Sequence, residues 1–188
     1  MRRSPYRKYV MLDRDGTIVV DKCYQKDPAL TELMPNAREG LEMLRNAGFG
    51  LVMVTNQSGI GRGFLTADDL AAVNRSVVEK LGGDHDYFAG IYYCPHVEAD
   101  ECACRKPKGG MAEQAAAELG FRTGNAYMVG DKAADVGMGR AVGAKCILVR
   151  TGDGPETERK GGVRADYVAD DLVDAARWIL GDAGIGVS

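Results

Sequence analysis

Asp13 and Asp15 stand one residue apart, directly after the apolar run Tyr9–Leu12, in the segment Asp13-Arg14-Asp15-Gly16-Thr17. Two carboxylates this close repel each other, which asks for a divalent cation or for a division of labour. In a division of labour one attacks as a nucleophile while the other shuttles a proton. A strand followed by an ordinary Asp-Gly turn accounts for the same residues without any chemistry.

Three further segments bear on that choice. Val52–Val54 runs into Thr55-Asn56-Gln57-Ser58-Gly59, another apolar run that ends in hydroxyl, amides and glycine. Thr55 and the backbone N–H groups after it could hold phosphoryl oxygens, although such residues are also ordinary loop chemistry. Gly59–Gly63 reads as a flexible extension of that loop, with Arg62 either a cation for an anionic substrate or a solvated charge. Arg105-Lys106-Pro107-Lys108 sets three cations around a proline before a helix, where they could neutralise a phosphate in the transition state or form a plain basic patch. Val129-Gly130-Asp131-Lys132 is a further apolar run ending in an acid, and Asp131 could complete a magnesium site with Asp13 and the backbone at Asp15. Asp135 reads as a supporting acid or a helix N-cap.

Cys94, His96, Cys102 and Cys104 offer four ligands within eleven positions, and only one other histidine exists in the chain. A Cys₃His set is closed and tetrahedral, which suits structural zinc and leaves no open catalytic position. Arg105 and Lys106 follow directly, so the metal would staple the loop and fix both cations. Cys146 lies in an apolar run and reads as a buried thiol.

These residues need a frame. Apolar runs at Tyr9–Leu12, Gly50–Val54, Gly90–Tyr93, Ala126–Val129 and Lys145–Val149 alternate with helix-period segments at Ala37–Ala47, Ala67–Leu81, Met111–Leu119 and Ala134–Val142. Thr66 with Asp68 and Asp69 reads as an N-cap and acidic first turn. Asp166–Val168 adds a strand and Asp171–Leu180 a last helix; Gly152–Gly162 reads as a glycine-rich loop and Gly181–Ser188 as a frayed tail. Such alternation predicts α/β architecture: a parallel sheet with helices on both faces, a Rossmann-like three-layer sandwich. In that architecture ligands bind at the carboxyl edge of the strands, where all the segments above end.

At 188 residues and 45% hydrophobic, residues 1–188 read as one domain, with no internal repeat and no room between Thr17 and Leu51 or between Gly59 and Cys104 for a cap domain. A net charge of −3 gives no basic face for nucleic acid. The opening Met1–Tyr9 is basic but lacks a signal peptide's apolar stretch, and no segment approaches the roughly 20 apolar residues of a membrane span. A cytoplasmic location with reduced or metal-bound cysteines is expected.

In this order, the four acid, threonine and lysine segments resemble the haloacid dehalogenase-like phosphohydrolase superfamily, from about Tyr9 to Val149. The resemblance implies that Asp13 is the nucleophile, forming an aspartyl-phosphate, and that Asp15 is the general acid and base. It implies that Thr55 and Lys106 hold the phosphoryl group and that Asp13, the Asp15 carbonyl and Asp131 surround Mg²⁺. The zinc loop next to Lys106 is similar to a small capless branch containing heptose 1,7-bisphosphate phosphatases and histidinol-phosphate phosphatases. Thr55–Ile60, Arg62-Gly63, Gly90–His96, Tyr127–Lys132 and Leu148–Gly152 resemble the heptose enzymes, which remove the 7-phosphate. The short stretch Val97–Glu101 resembles the histidinol branch, and Gly109 replaces the proline usual in the heptose enzymes.

Carried over from the heptose enzymes, Asp21 to Tyr24 line the sugar pocket, Thr55, Asn56, Gln57 and Ser58 touch substrate, and Arg105 with Lys132 binds phosphate. Arg62, Arg105 and Lys132 are candidates for the second phosphate of a bisphosphate. Histidinol would instead ask for an acid near its amine, which Glu98–Glu101 could supply. A catalytically dead, zinc-stapled binding module is the remaining reading, and it predicts loss of a catalytic residue that is not seen. A monomer acting on a small phosphorylated sugar is expected, with no nucleic-acid or membrane partner.

Overall fold

The computed structural model describes residue 6 and residues 8–186; the rest of the basic opening stretch and the last two residues of the expected tail lie outside them. Among the described residues, six strands form one parallel sheet: β1 Tyr9–Leu12, β2 Gly50–Asn56, β3 Gly90–Cys94, β4 Tyr127–Gly130, β5 Lys145–Val149 and β6 Tyr167–Ala169. Their spatial order is β3-β2-β1-β4-β5-β6. Successive strands therefore run outward in one direction from β1 and in the other from β4. The gap between these two directions is where the loops part and leave a crevice.

The helices are α1 Ala37–Asn46, α2 Ser58–Gly61, α3 Ala67–Lys80, α4 Gly110–Leu119, α5 Ala133–Ala141, α6 Gly154–Lys160 and α7 Leu172–Asp182. Strand alternation divides the core into two layers. Val10, Leu12, Leu51, Met53, Val129 and Ile147 pack with Leu41 and Leu44 of α1, Val77 of α3 and Ala175, Ala176 and Ile179 of α7. Met11, Val52, Val54 and Met128 point the other way, onto Met111, Ala112 and Ala115 of α4 and Met138 of α5. Each such aliphatic side chain, fully buried, contributes about 1.5–3 kcal/mol. A parallel sheet covered on both faces needs continuous apolar strands, and β1 is buried throughout.

The expected elements hold, with boundaries shifted by one or two residues. Thr66 caps α3 through a reciprocal capping box with Asp69. Three expectations are corrected. Gly152–Gly162 is not a plain loop: α6 occupies Gly154–Lys160, with a proline in its first turn, Glu156 near its start and Arg159 and Lys160 near its end. These are helix signals that the flanking glycines obscured. Gly59–Gly63 is not simply flexible, because Ser58–Gly61 forms a helical turn whose Gly61 N–H donates to Pro95 O at 2.9 Å. Fraying does not begin at Gly181, since α7 runs to Asp182, where Tyr127 Oη donates to the carboxylate at 2.7 Å, and Ile185 packs on the core.

Candidate active site

Parallel register brings the sequence segments together. Leu12 lies abreast of Met53 on β2 and of Val129 on β4. Asp13, Thr55 and Asp131 follow within one or two residues, so one edge of the sheet carries all three. Asp13 N–H donates to Val129 O at 3.0 Å, which extends the ladder by one rung and holds the carboxylate at the lip.

Lys106 is the centre of the charge arrangement. It is buried, and its Nζ lies 2.6 Å from Asp13 Oδ1, 2.7 Å from Asp135 Oδ1 and 2.9 Å from Val54 O. Burial alone would lower its pKa, but the two carboxylates outweigh that and raise it, so it is a fixed cation. Asn56 sets the lysine's backbone: Lys106 N–H donates to Asn56 Oδ1 at 3.0 Å and Asn56 Nδ2 donates to Lys106 O at 3.2 Å. The amide of Asn56 thus ties the lysine's backbone to β2 at the edge of the sheet.

Asp13, Asp131 and Asp135 are all buried, each with an oxygen within 4.8 Å of the others. Burial, opposed by Lys106, pushes Asp13 above the usual carboxylate range. Asp131 is pushed up to about 7 by burial and then by the charges of Asp13 and Asp135. Three buried carboxylates around one lysine leave an excess of negative charge, and hard oxygen donors at this spacing fit a divalent cation such as Mg²⁺.

Asp131 is itself tightly packed. Its Oδ2 accepts from Asp153 N–H at 2.8 Å, its Oδ1 from Thr17 Oγ1 at 3.4 Å, and its backbone oxygen from Thr157 Oγ1 at 2.9 Å. A Cβ at Gly16 or Gly152 would lie 2.2 or 2.4 Å from Asp131 Oδ2, and both residues have positive φ (89° and 52°). Only glycine fits there on both counts.

Asp15 is held apart from the lysine. Arg14 donates to it twice, Nε to Oδ1 at 3.1 Å and Nη2 to Oδ2 at 2.8 Å. Gln57 Nε2 donates to Oδ2 at 2.8 Å and to Thr55 Oγ1 at 2.9 Å.

Asp13, Arg14, Asp15, Thr55, Gln57, Lys106 and Asp135 border a cavity of about 370 Å³, lined also by Asp21, Cys23, Tyr24, Asn56, Ser58, Arg105 and Lys132, whereas the fully buried Asp131 is not on its wall. Lys132 Nζ lies 3.1 Å from Asp21 Oδ2; burial would lower its pKa, but Asp131 and Asp21 outweigh that and raise it. Arg62 is exposed and is not among the lining residues, so the structure does not bring it to the cavity. Neither are Glu98–Glu101, the acids expected to meet an amine.

Cys94, His96, Cys102 and Cys104 do converge. Cys104 Sγ lies 3.2 Å from Cys94 Sγ, 3.4 Å from Cys102 Sγ and 3.3 Å from His96 Nδ1. Tetrahedral zinc would set its donors about 3.6–3.8 Å apart, so the set fits that ion with slight expansion. Burial and its thiol neighbours push Cys94 up to about 12, whereas hydrogen bonds from the Arg105 and Cys104 N–H groups and the neighbouring thiols overcome burial and bring Cys102 down to about 7. The loop is tied to the cations: Arg105 Nη1 donates to His96 O at 3.3 Å, and Lys108 Nζ donates to Glu101 O and Cys102 O at 2.7 and 2.8 Å.

Known proteins are similar to this one along nearly the whole chain. A family model described as HAD-hydrolase-like matches residues 103–175. The D-glycero-beta-D-manno-heptose-1,7-bisphosphate 7-phosphatase of Pasteurella multocida is 37% identical, over 93% of this chain and 98% of its own. The chain belongs to the haloacid dehalogenase-like hydrolases. Another member, the D-glycero-D-manno-heptose-1,7-bisphosphate 7-phosphatase of Chlorobaculum tepidum, is 40% identical over 93% of this chain and 95% of its own. The crystal structure of D,D-heptose 1,7-bisphosphate phosphatase from B. bronchiseptica, complexed with magnesium and phosphate, superposes with a TM-score of 0.86 at 31% identity, covering 93% of this chain and 99% of that one. As a haloacid dehalogenase-like phosphatase, this protein is a phosphoric monoester hydrolase.

Residue types alone missed two parts of this site, Arg14 and Asn74 behind it; Asp135, read as a supporting acid or a cap, does both, pairing with Lys106 and accepting from Lys132 N–H at 2.9 Å. A charged residue at the end of a buried strand was the available signal for Arg14.

Proposed function

We propose that the protein hydrolyses the 7-phosphate of D-glycero-D-manno-heptose 1,7-bisphosphate through an aspartyl-phosphate on Asp13. The observation that carries this reading is the partition of the two acids. Asp13 shares a buried lysine, whereas Asp15 is gripped by Arg14 and Gln57. The two acids therefore have different partners, and the resemblance to the haloacid dehalogenase-like enzymes gives the nucleophile's role to Asp13 and the proton-transfer role to Asp15.

In the first half-reaction Asp13 Oδ2, the oxygen not engaged by Lys106, attacks phosphorus. The bond from phosphorus to the sugar oxygen breaks, and Asp15 gives that oxygen its proton. In the second, water gives a proton to Asp15 and attacks phosphorus; the bond to Asp13 breaks and inorganic phosphate leaves. Thr55 and Lys106 hold the phosphoryl oxygens and offset their charge. Mg²⁺, held by Asp13, Asp131 and the Asp15 carbonyl with Asp135 beside them, supplies charge neutralisation. Arg105 and Lys132 bind the second phosphate, and Asp21 to Tyr24 line the sugar. Cys94, His96, Cys102 and Cys104 would hold a structural zinc, which would keep Arg105 and Lys106 in place. The enzyme is proposed to act as a cytoplasmic monomer on a small phosphorylated sugar. No helix among the described residues is long and apolar enough to cross a membrane.

Phosphate release from both anomers of heptose 1,7-bisphosphate and from histidinol phosphate, measured side by side with Mg²⁺, tests the substrate. The heptose ester should be preferred by about a hundredfold in kcat/KM, roughly 2.7 kcal/mol of transition-state discrimination. Preference for histidinol phosphate would overturn the reading; the absence of Glu98–Glu101 from the cavity wall argues against it.

Two metal predictions accompany it. Asp131 with a pKa of about 7 must lose its proton to bind a cation. Its pKa is raised on folding, so the metal-free fold loses stability as pH rises from about 4 to about 7, and Mg²⁺ affinity rises over the neutral range. Between pH 6 and pH 8 the Kd for Mg²⁺, by calorimetry, should fall about tenfold. A pH-independent Kd would remove Asp131 from the ligands. Cys102→Ser should lower both zinc content, by elemental analysis, and melting temperature. Full zinc content would exclude Cys102.

A further inference from the structure

Arg14 is among the largest fully buried side chains of the described residues, and it stands between the two reactive aspartates in sequence. An arginine charge withdrawn from water needs its donors satisfied. Here they are satisfied in one particular way. The Nε and Nη2 edge takes both oxygens of Asp15, and Nη1 donates at 3.0 Å to Oδ1 of Asn74, a buried residue on α3. The guanidinium plane is therefore fixed at both ends, by its sequence neighbour Asp15 and by Asn74, 60 residues further along the chain from Arg14. The donors on Asp15 are unevenly shared. Oδ2 accepts from Arg14 and from Gln57, whereas Oδ1 accepts from Arg14 alone, over the longer distance of 3.1 Å.

We propose that Arg14, anchored by Asn74, is a positioning residue that orients the Asp15 carboxyl so that Oδ1 carries the proton to the leaving sugar oxygen and receives it back from water. Arg14 keeps its own protons throughout. The planar fork is essential, because it fixes the rotation of the carboxyl group, which a lysine's point charge does not. Asn74 acts one step further back, by fixing the fork. Misorientation of a general acid removes part of the 10²–10⁴-fold that such a group contributes, about tenfold or more. This inference rests on the phosphatase reading above.

The experiment compares two esters. The 7-phosphate of heptose 1,7-bisphosphate leaves as a primary alkoxide and needs its proton in the first step. p-Nitrophenyl phosphate leaves as a stabilised phenolate and does not. Because kcat/KM reports the path to the first irreversible bond cleavage, the ratio of kcat/KM for the two isolates proton donation to the leaving group. In Asn74→Ala the alkyl-to-aryl ratio should fall about tenfold or more relative to the unsubstituted protein, and in Arg14→Lys further. Asn74→Asp, which restores an acceptor oxygen for Nη1, should bring the ratio back to within about threefold. Should Arg14→Lys fail to fold, judged by thermal melting, the two Asn74 variants carry the test. Equal losses on both esters would mean a merely structural role and overturn the proposal, as would an unchanged ratio in Asn74→Ala. If the unsubstituted protein hydrolyses neither ester, it is the phosphatase reading that fails, and the two failures are distinct.

Discussion

Asp13→Asn is expected to reduce phosphate release by about 10⁴-fold or more, at least roughly 5.4 kcal/mol of barrier, while leaving the fold intact. A carboxamide has the shape of the carboxylate but cannot form the acyl phosphate. Lys106 keeps two of its partners, Asp135 and Val54 O, so its charge is not stranded. Removing one of three mutually repelling carboxylates also relieves the strain that raises Asp131. The melting temperature of the metal-free variant should therefore equal or exceed that of the parent. Phosphate release and thermal melting on one preparation check both halves. Ordinary turnover would show that Asp13 is not the nucleophile, and a collapsed melt would show that its charge is structural.

Lys106→Met should do the opposite to stability. It removes the buried cation that lies between Asp13 and Asp135. Breaking a buried ion pair by deleting one partner costs about 3–5 kcal/mol, which corresponds to a fall of about 6–20 °C in melting temperature for a domain of this size. Mg²⁺ should recover part of that loss, because it brings positive charge back to the same carboxylates. Activity should fall about 10²–10³-fold even when magnesium is saturating, since the phosphoryl oxygens lose a fixed donor in a desolvated site. Calorimetry with and without Mg²⁺ separates the two effects. A variant as stable as the parent without metal would mean that the acids do not depend on Lys106.

Much of the site was legible from residue types because each piece sits at the end of a strand with its own local signature. Asp13, Thr55 and Asp131 each follow an apolar run, and a buried parallel strand is the one local structure that turns such a run into a side chain at the sheet's carboxyl edge. The Cys₃His set was legible for a similar reason: all four ligands lie within one short loop, so ligand type and spacing nearly settle their convergence. The elements followed from periodicity, and α6 escaped notice only because glycines flank a seven-residue helix.

What the chain could not declare was anything that depends on two distant segments choosing each other. Asn56 reads as a ligand contact, and the fold also makes its amide the tie that holds the backbone of Lys106, 50 residues away. Arg62 reads as a substrate cation, yet it stays in solvent outside the cavity. Arg14 has no role legible from its residue type, but its hydrogen bond to Asn74 on α3 makes it the buried fork that holds Asp15. By itself, then, the sequence determined the strands, the acids at their ends, the zinc-type loop and the chemistry these residue types can do, because all of these rest on local pattern. Only the tertiary structure decided which donor pairs with which acceptor, since a buried polar group must find a partner and the order β3-β2-β1-β4-β5-β6 determines which partners come within reach.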